Sequence, residues 1–406
     1  TTAPGAAPLQ AAAPGDARPR LAAVLAPHRA IVCVGTGGVG KPTGAAALAL
    51  AGAMQGRRSM VLTIDPARQL ARALGLRGLR WGGEPVDLSP LAALGMPTPT
   101  GLLHAGMLDQ KAAWDAFITR HAPSPEVRDA ILGNRFYEQL STVMAGSTEY
   151  MAIEELCRLD ESHLYDLIVV DTPPAGHMVD FLRAPERLER LLDPDVHGWL
   201  SRPYRSLGRG AVRAVHASVR YVVRQLERAA GSRTLREISA FFVALDALFG
   251  DIAGRTARAR GILQSPETAF VLVAGPGERV LAGGDALMAS ISAFDAPLRA
   301  VVVNRVHPLS EAERARPSLH ERICTELGAA GVEPELLSWL RTTWQEAVRT
   351  DRVEQERLHR FAEAAPPTAA WAEVAELDHD AHSLLDLAQV ALRMGALDVA
   401  ESRRGP

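Results

Sequence analysis

Five short apolar runs interrupt a chain otherwise patterned for helices. They cover residues 30–34, 59–64, 167–170, 269–273 and 300–303. Each is continuous rather than alternating, and most are β-branched, which marks strands buried on both faces. Each gives way to a turn or breaker: Gly35, Asp65-Pro66, Asp171-Thr172-Pro173-Pro174, Gly275-Pro276 and Asn304-Arg305. Residues 43–54 are rich in Ala and Leu and read as a helix. Strands separated by long helical stretches describe an α/β fold, a mostly parallel sheet flanked by helices.

Two segments exceed what a minimal sheet needs. Between about 101 and 160, Leu103, Met107, Trp114, Phe117 and Ile118 recur at helical spacing. Between about 183 and 263 there are two amphipathic faces: Val212, Val215, Val219, Val222, Val223 and Leu226 on one, Leu235, Ile238, Phe242, Leu245 and Phe249 on the other. Both segments are expected to be helical insertions at one edge of the fold, an inserted helical subdomain. Residues 1–27, rich in Ala and Pro, read as a disordered leader, 28–395 as the folded domain and 396–406 as a flexible tail.

Composition narrows the functional classes. The chain has 406 residues, 47% of them hydrophobic, and a net charge of -3, so it can bury a full core and has no charge-based claim on nucleic acid. Cys33, Cys157 and Cys324 include no close pair, which argues against a disulfide framework and for a reducing, cytoplasmic setting. No apolar run approaches the length of a membrane span. Only two lysines occur, Lys41 and Lys111; every other basic residue except histidine is Arg. A chain so poor in Lys keeps one of the two directly after a glycine cluster.

That cluster is Gly35-Thr36-Gly37-Gly38-Val39-Gly40-Lys41-Pro42-Thr43. Strand, glycine loop and helix in this order form the context of a phosphate-binding loop. Glycines let backbone N–H groups converge on a polyphosphate at a helix N-terminus, and Lys41 would reach its β- and γ-phosphates. Asp65, Asp171 and Asn304 follow other strands at the same end, where ligands bind in such sheets. Asp65 can orient an attacking water or cap the helix begun by Pro66. Asp171 can order Mg²⁺ through its waters or serve as a turn residue. Asn304 can read adenine or close a turn.

Taken with the loop, Thr63-Ile64-Asp65-Pro66-Ala67-Arg68 and Asp171-Thr172-Pro173-Pro174-Ala175-Gly176-His177 resemble the arsenical-pump ATPase family. That family includes the ATPases that target tail-anchored membrane proteins. Phe136-Tyr137-Glu138-Gln139-Leu140, the stretch from Ala145 to Ala152, and Val303-Asn304-Arg305-Val306 look like its bacterial members. The resemblance implies a P-loop NTPase of the deviant Walker A (SIMIBI) type, a dimer that closes over ATP and Mg²⁺. It implies that Asp65 lies in switch I and orients water, that Asp171, Thr172, Pro173, Pro174, Ala175, Gly176 and His177 form switch II, and that Asn304 reads the base. It also places the loop Glu376-Leu377-Asp378-His379-Asp380-Ala381-His382 near that base; read alone, this Asp/His cluster is a metal-site candidate.

The sequence departs from the family at three points. The family's loop has Lys at its second position, reaching the partner's phosphates, where this chain has Thr36. A CxxC zinc pair is absent, and the three cysteines reproduce no arsenite thiol site.

A fourth departure is from the phosphate loop itself: Pro42 stands where a Ser or Thr would ligate Mg²⁺. Proline is acceptable at a helix start but supplies neither hydroxyl nor N–H, and it disfavours helical geometry at Lys41. Thr43, one residue on, points about 100° away.

Two functions follow as expectations. One is an ATP-hydrolysing switch coupling nucleotide (ATP or ADP) to a helical cargo or partner surface. The other is a hydrolysis-impaired sensor, the silent subunit of a heterodimer with a Lys-bearing paralogue. For cargo, Phe241, Phe242, Leu245, Leu248 and Phe249 offer an apolar face, which equally suits core packing, for a membrane protein's apolar helix. Arg213, Arg220, Arg224 and Arg228 suit an anionic surface or plain solvent.

Overall fold

A computed structural model describes residues 18–65, 68–93, 96–97, 99–134, 137, 147–173, 178–191, 244, 249–307, 317–377 and 379–397. The Phe241–Leu248 cargo face, the four arginines from Arg213 to Arg228, and Pro174, Ala175, Gly176 and His177 lie outside them, Ala244 apart.

Among the described residues, eight strands form one sheet: β1 (Ala30–Gly35), β2 (Arg58–Thr63), β3 (Glu84–Pro85), β4 (Leu102–Met107), β5 (Leu167–Asp171), β6 (Thr268–Ala274), β7 (Leu298–Val306) and β8 (Ala370–Ala375). Their spatial order is β3-β4-β2-β5-β1-β6-β7-β8. Every pairing is parallel except β3 with β4. The glycine-loop strand β1 is central, between β5 and β6, so Cys33 pairs with Asp171 on one side and Gly35 with Val273 on the other. This register brings the loop and the Asp171 turn to one edge of the sheet.

The continuous apolar runs arise because both faces are buried. From β1, Val32 and Val34 enter one core, while Ile31 and Cys33 enter the other. The first core is covered by α5 (Gln110–His121), α7 (Ser147–Ser162), α8 (Met178–Leu182), α10 (Phe249–Gln264), α11 (Glu278–Ala293) and the long α13 (Pro334–Ala364). The second is covered by α1 (Leu21–Leu25), α2 (Lys41–Met54), α3 (Arg68–Ala73), α4 (Ser89–Ala93) and α14 (Leu384–Arg393). Three further helices are α6 (Pro125–Leu132), α9 (Ala184–Leu191) and α12 (Pro317–Ala329). Within the segments expected to be helical insertions, α5, α7, α9 and α10 pack on one another, and α6 packs on α5.

Three expectations need correction. The segment 101–160 opens with a strand: β4 pairs with β2 from Arg58↔Leu102 to Thr63↔Met107. Leu103 and Ala105 point into one core, so the alternation belongs to a strand, and the helical pattern begins at α5. Part of the expected leader packs on the domain. Leu21 and Leu25, four residues apart on α1, are both buried, and Ala22 N–H donates to Gly395 O at 3.0 Å. At the other end Ala396 and Leu397 are buried in the same core, so the domain continues past 395.

Candidate functional site

The glycine loop begins where β1 runs out of room for side chains. A Cβ on Gly35 would lie 2.1 Å from Val273 O, a backbone atom that cannot swing aside. Gly38 and Gly40 have φ of 78° and 86°, the left-handed region in which residues with a Cβ are strained. A Cβ on Gly38 would meet nothing within 4 Å, so the loop's outer limb faces open space.

Gly40 is the N-cap of α2, and the helix starts at Lys41, not at Thr43. Pro42 therefore occupies the second helical position without expelling Lys41 from the helix. The first turn of any helix has N–H groups without intrahelical partners, so Pro42 costs the fold no backbone bond. What it removes is one N–H and one hydroxyl from the surface that faces the loop.

Lys41 is buried, and its Nζ donates to Gly35 O at 3.2 Å. Burial pulls its pKa below the usual lysine value, opposed by attraction to Asp171, Asp65 and Cys33. Asp171 is also buried; desolvation raises its pKa to about 7 against the Thr63 hydrogen bond and Lys41, while Asp65 adds to the rise. Its Oδ2 lies 3.0 Å from Thr63 Oγ1, and its Oδ1 has no hydrogen-bond partner among the described residues. An unpartnered buried carboxylate oxygen is costly, and a ligand-bound water or cation would satisfy it.

Asp65 follows β2 and is exposed, within electrostatic reach of both Lys41 and Asp171. Thr63 Oγ1 also lies 3.0 Å from Asp65 O. Thr172 Oγ1 donates to Cys33 O at 2.8 Å, and Pro173 is buried beside it. Asn304, near the end of β7, donates from Nδ2 to Val39 O at 2.8 Å, and Arg305 Nη1 donates to Gly38 O at 3.3 Å. Arg305 adopts φ 63° and sits 3.8 Å from Asp380.

The structure thus gathers Gly35, Gly38, Val39, Gly40, Lys41, Asp65, Asp171 and Asn304 around one edge of the sheet. Gly37 is exposed on the loop, and Pro42 and Thr43 are half-buried in the first turn of α2. Thr36 is turned away from that opening: a Cβ on Gly283 of α11 would lie 2.7 Å from Thr36 Cγ2, and Thr36 Oγ1 is buried without a partner among the described residues. Cys33 and Cys157 lie in the cores on opposite faces of the sheet, and Cys324 is buried on α12.

Thr63 and Arg305 are the residues that sequence reasoning passed over as site members. Thr63 is a hydroxyl inside an apolar run, directly before Ile64-Asp65, and that position was the available signal.

A family model described as "Anion-transporting ATPase" matches residues 28–326. The chain belongs to the anion-transporting ATPase family. Among individual relatives, it is 30% identical to an uncharacterised protein of Streptomyces coelicolor over 40% of this chain and 39% of that protein. It is 30% identical to the ATPase GET3 of Malassezia globosa over 40% of this chain and 44% of the relative. A putative arsenical pump-driving ATPase of Prosthecochloris vibrioformis is 27% identical over 39% and 36%. The chain therefore spans about two-fifths of the length of these curated relatives.

The matching family model is described as one of ATPases, and the geometry here suits an anionic phosphate ligand. An anionic polyphosphate fits an open glycine limb at the N-terminus of a 14-residue helix with a buried lysine beneath. For Mg²⁺ the fit is partial: Asp171 Oδ1 offers an oxygen to a metal-bound water, and Pro42 offers nothing. No helix among the described residues is long and apolar enough to cross a membrane.

Proposed function

We propose that this chain binds ATP at the 35–43 loop and uses it as a conformational switch. The observation that carries this reading is the juxtaposition of Lys41, buried under the loop on Gly35 O, and Asp171, whose Oδ1 is unpartnered among the described residues. The backbone of residues 36–41 would cradle the phosphates. Lys41 would exchange Gly35 O for phosphate oxygens, a gain because a buried ammonium prefers an anion to one carbonyl. Asp65 would orient the attacking water, and Asn304 would meet the purine with the amide hydrogen not given to Val39 O. Asp171 would hold a metal-bound water; Mg²⁺, when bound, supplies charge neutralisation on the β- and γ-oxygens. Thr172 would carry the state of the site into switch II.

Pro42 favours a second form of this reading, slow or absent hydrolysis. Each hydrogen bond lost to a charged group is worth about 1.5–3 kcal/mol, and Pro42 withdraws two. Thr36 packs on α11 and carries no charge, so a lysine crossing to the partner's phosphates would have to come from a Lys-bearing paralogue.

The test is titration of a fluorescent ATP analogue with and without Mg²⁺. Saturable binding that Lys41→Ala weakens at least tenfold supports the reading, and absence of saturable binding by the folded chain overturns it. Binding indifferent to Mg²⁺ favours the impaired form.

A further inference from the structure

Thr63 is fully buried. In the register of β2 and β5 it pairs with Asp171. Its hydroxyl stands 3.0 Å from Asp171 Oδ2 and 3.0 Å from the carbonyl oxygen of Asp65. The peptide between them is tied as well: Ile64 N–H donates to Asp171 O at 3.2 Å, and Leu108 N–H donates to Thr63 O at 2.9 Å. Asp171 and the exit of β2 therefore form one hydrogen-bonded unit, and Thr63 is its only side-chain link among the described residues.

A valine would fill the same volume in a buried strand with better β-propensity. Burying a hydroxyl instead costs free energy unless it is bonded, so the choice of threonine points to the bonds it makes. A hydroxyl has one proton, and Thr63 has two acceptors at equal distance. The share of that proton held by Asp65 O depends on what else bonds Asp171. Asp65 is exposed, and the bond from Thr63 Oγ1 is the side-chain hold on its backbone among the described residues.

We infer that Thr63 is a positioning residue: it ties the backbone of Asp65 to Asp171, so that the two carboxylates on neighbouring strands are set as a pair. The inference rests on the proposed nucleotide site for its purpose, but not for its geometry.

The experiment separates the two. Amide exchange of the nucleotide-free protein is followed in peptides covering Asp65 and α3, for the natural chain, Thr63→Val and Thr63→Ser. The expected result is exchange about three- to tenfold faster in Thr63→Val, the worth of one neutral hydrogen bond, with Thr63→Ser close to the natural chain. Exchange in β6 and α14 should be unchanged, which excludes general loosening. On phosphate release, measured in the Pro42→Thr background where turnover is expected, Thr63→Val should lower kcat about tenfold and leave KM within about twofold. Unchanged exchange in Thr63→Val, failure of Thr63→Ser to restore it, or KM rising in step with falling kcat overturns the inference. Failure of the chain to bind nucleotide would overturn the proposed function and leave the exchange result to judge Thr63 alone.

Discussion

Asn304 Nδ2 donates to Val39 O at 2.8 Å across 265 residues of sequence. A Cβ on Gly40 would lie 2.5 Å from that same Nδ2. The side chain expected to meet the base is thus also a brace for the outer limb of the loop. Asn304→Ala should weaken ATP binding about tenfold, and Asn304→Asp should weaken it further, because a carboxylate repels the Val39 carbonyl. Titration of a fluorescent ATP analogue checks both. Equal affinity in all three proteins would retire the brace.

Pro42→Thr should restore the missing N–H and hydroxyl without moving the helix start, since α2 already begins at Lys41. Steady-state phosphate release should rise at least tenfold, and Mg²⁺ should begin to strengthen ATP binding. Release equal to that of the natural chain, at a robust rate in both, would show that Pro42 is not the obstacle.

Asp171 makes the nucleotide-free protein sensitive to pH in a definite direction. Its pKa in the folded chain is raised to about 7, from an ordinary 3.8. Folding therefore favours the neutral acid. That contribution is fully present below pH 3.8 and is lost as pH rises through about 7. Asp171→Asn mimics the neutral form at every pH. Its melting temperature should exceed that of the natural chain at pH 8 and converge toward it near pH 4, without nucleotide or metal. A difference that does not change over this range would contradict the assignment.

Gly35→Ala should be poorly tolerated. The added Cβ would approach Val273 O to 2.1 Å between two central strands, and neither backbone can move alone. Overpacking of this kind costs about 1–3 kcal/mol or more. Thermal melting should show a loss of several degrees or no soluble protein. An unchanged melting temperature would mean that β1 and β6 separate more easily than their register implies.

The sequence exposed the fold where burial was two-sided and hid it where burial was one-sided. β1, β2, β5, β6 and β7 are legible because consecutive residues enter opposite cores. β8 alternates instead: Ala370, Ala372 and Val374 are buried while Glu373 is exposed, the signature of the sheet's edge. β4 was obscured by Leu103 and Met107 falling four apart just ahead of the true helix that carries Trp114 and Phe117. In the candidate site, the glycines, Lys41, Asp171 and Asn304 stand out in the sequence because each follows the end of an apolar run. Thr63 does not, because its meaning lies in its strand register against Asp171, a pairing that no local pattern encodes.

Two consecutive glycines of α11 give the loop a neighbour on its far side. Gly283 meets Thr36, and a Cβ on Gly284 would lie 2.6 Å from the ring of Phe361 on α13. Stripped of side chains at both places, α11 lets the loop's second residue and the ring of Phe361, on the longest described helix, come close to its backbone. A larger residue at position 36 would meet Gly283 at close range. The residue at 36 is therefore constrained by packing as much as by any ligand.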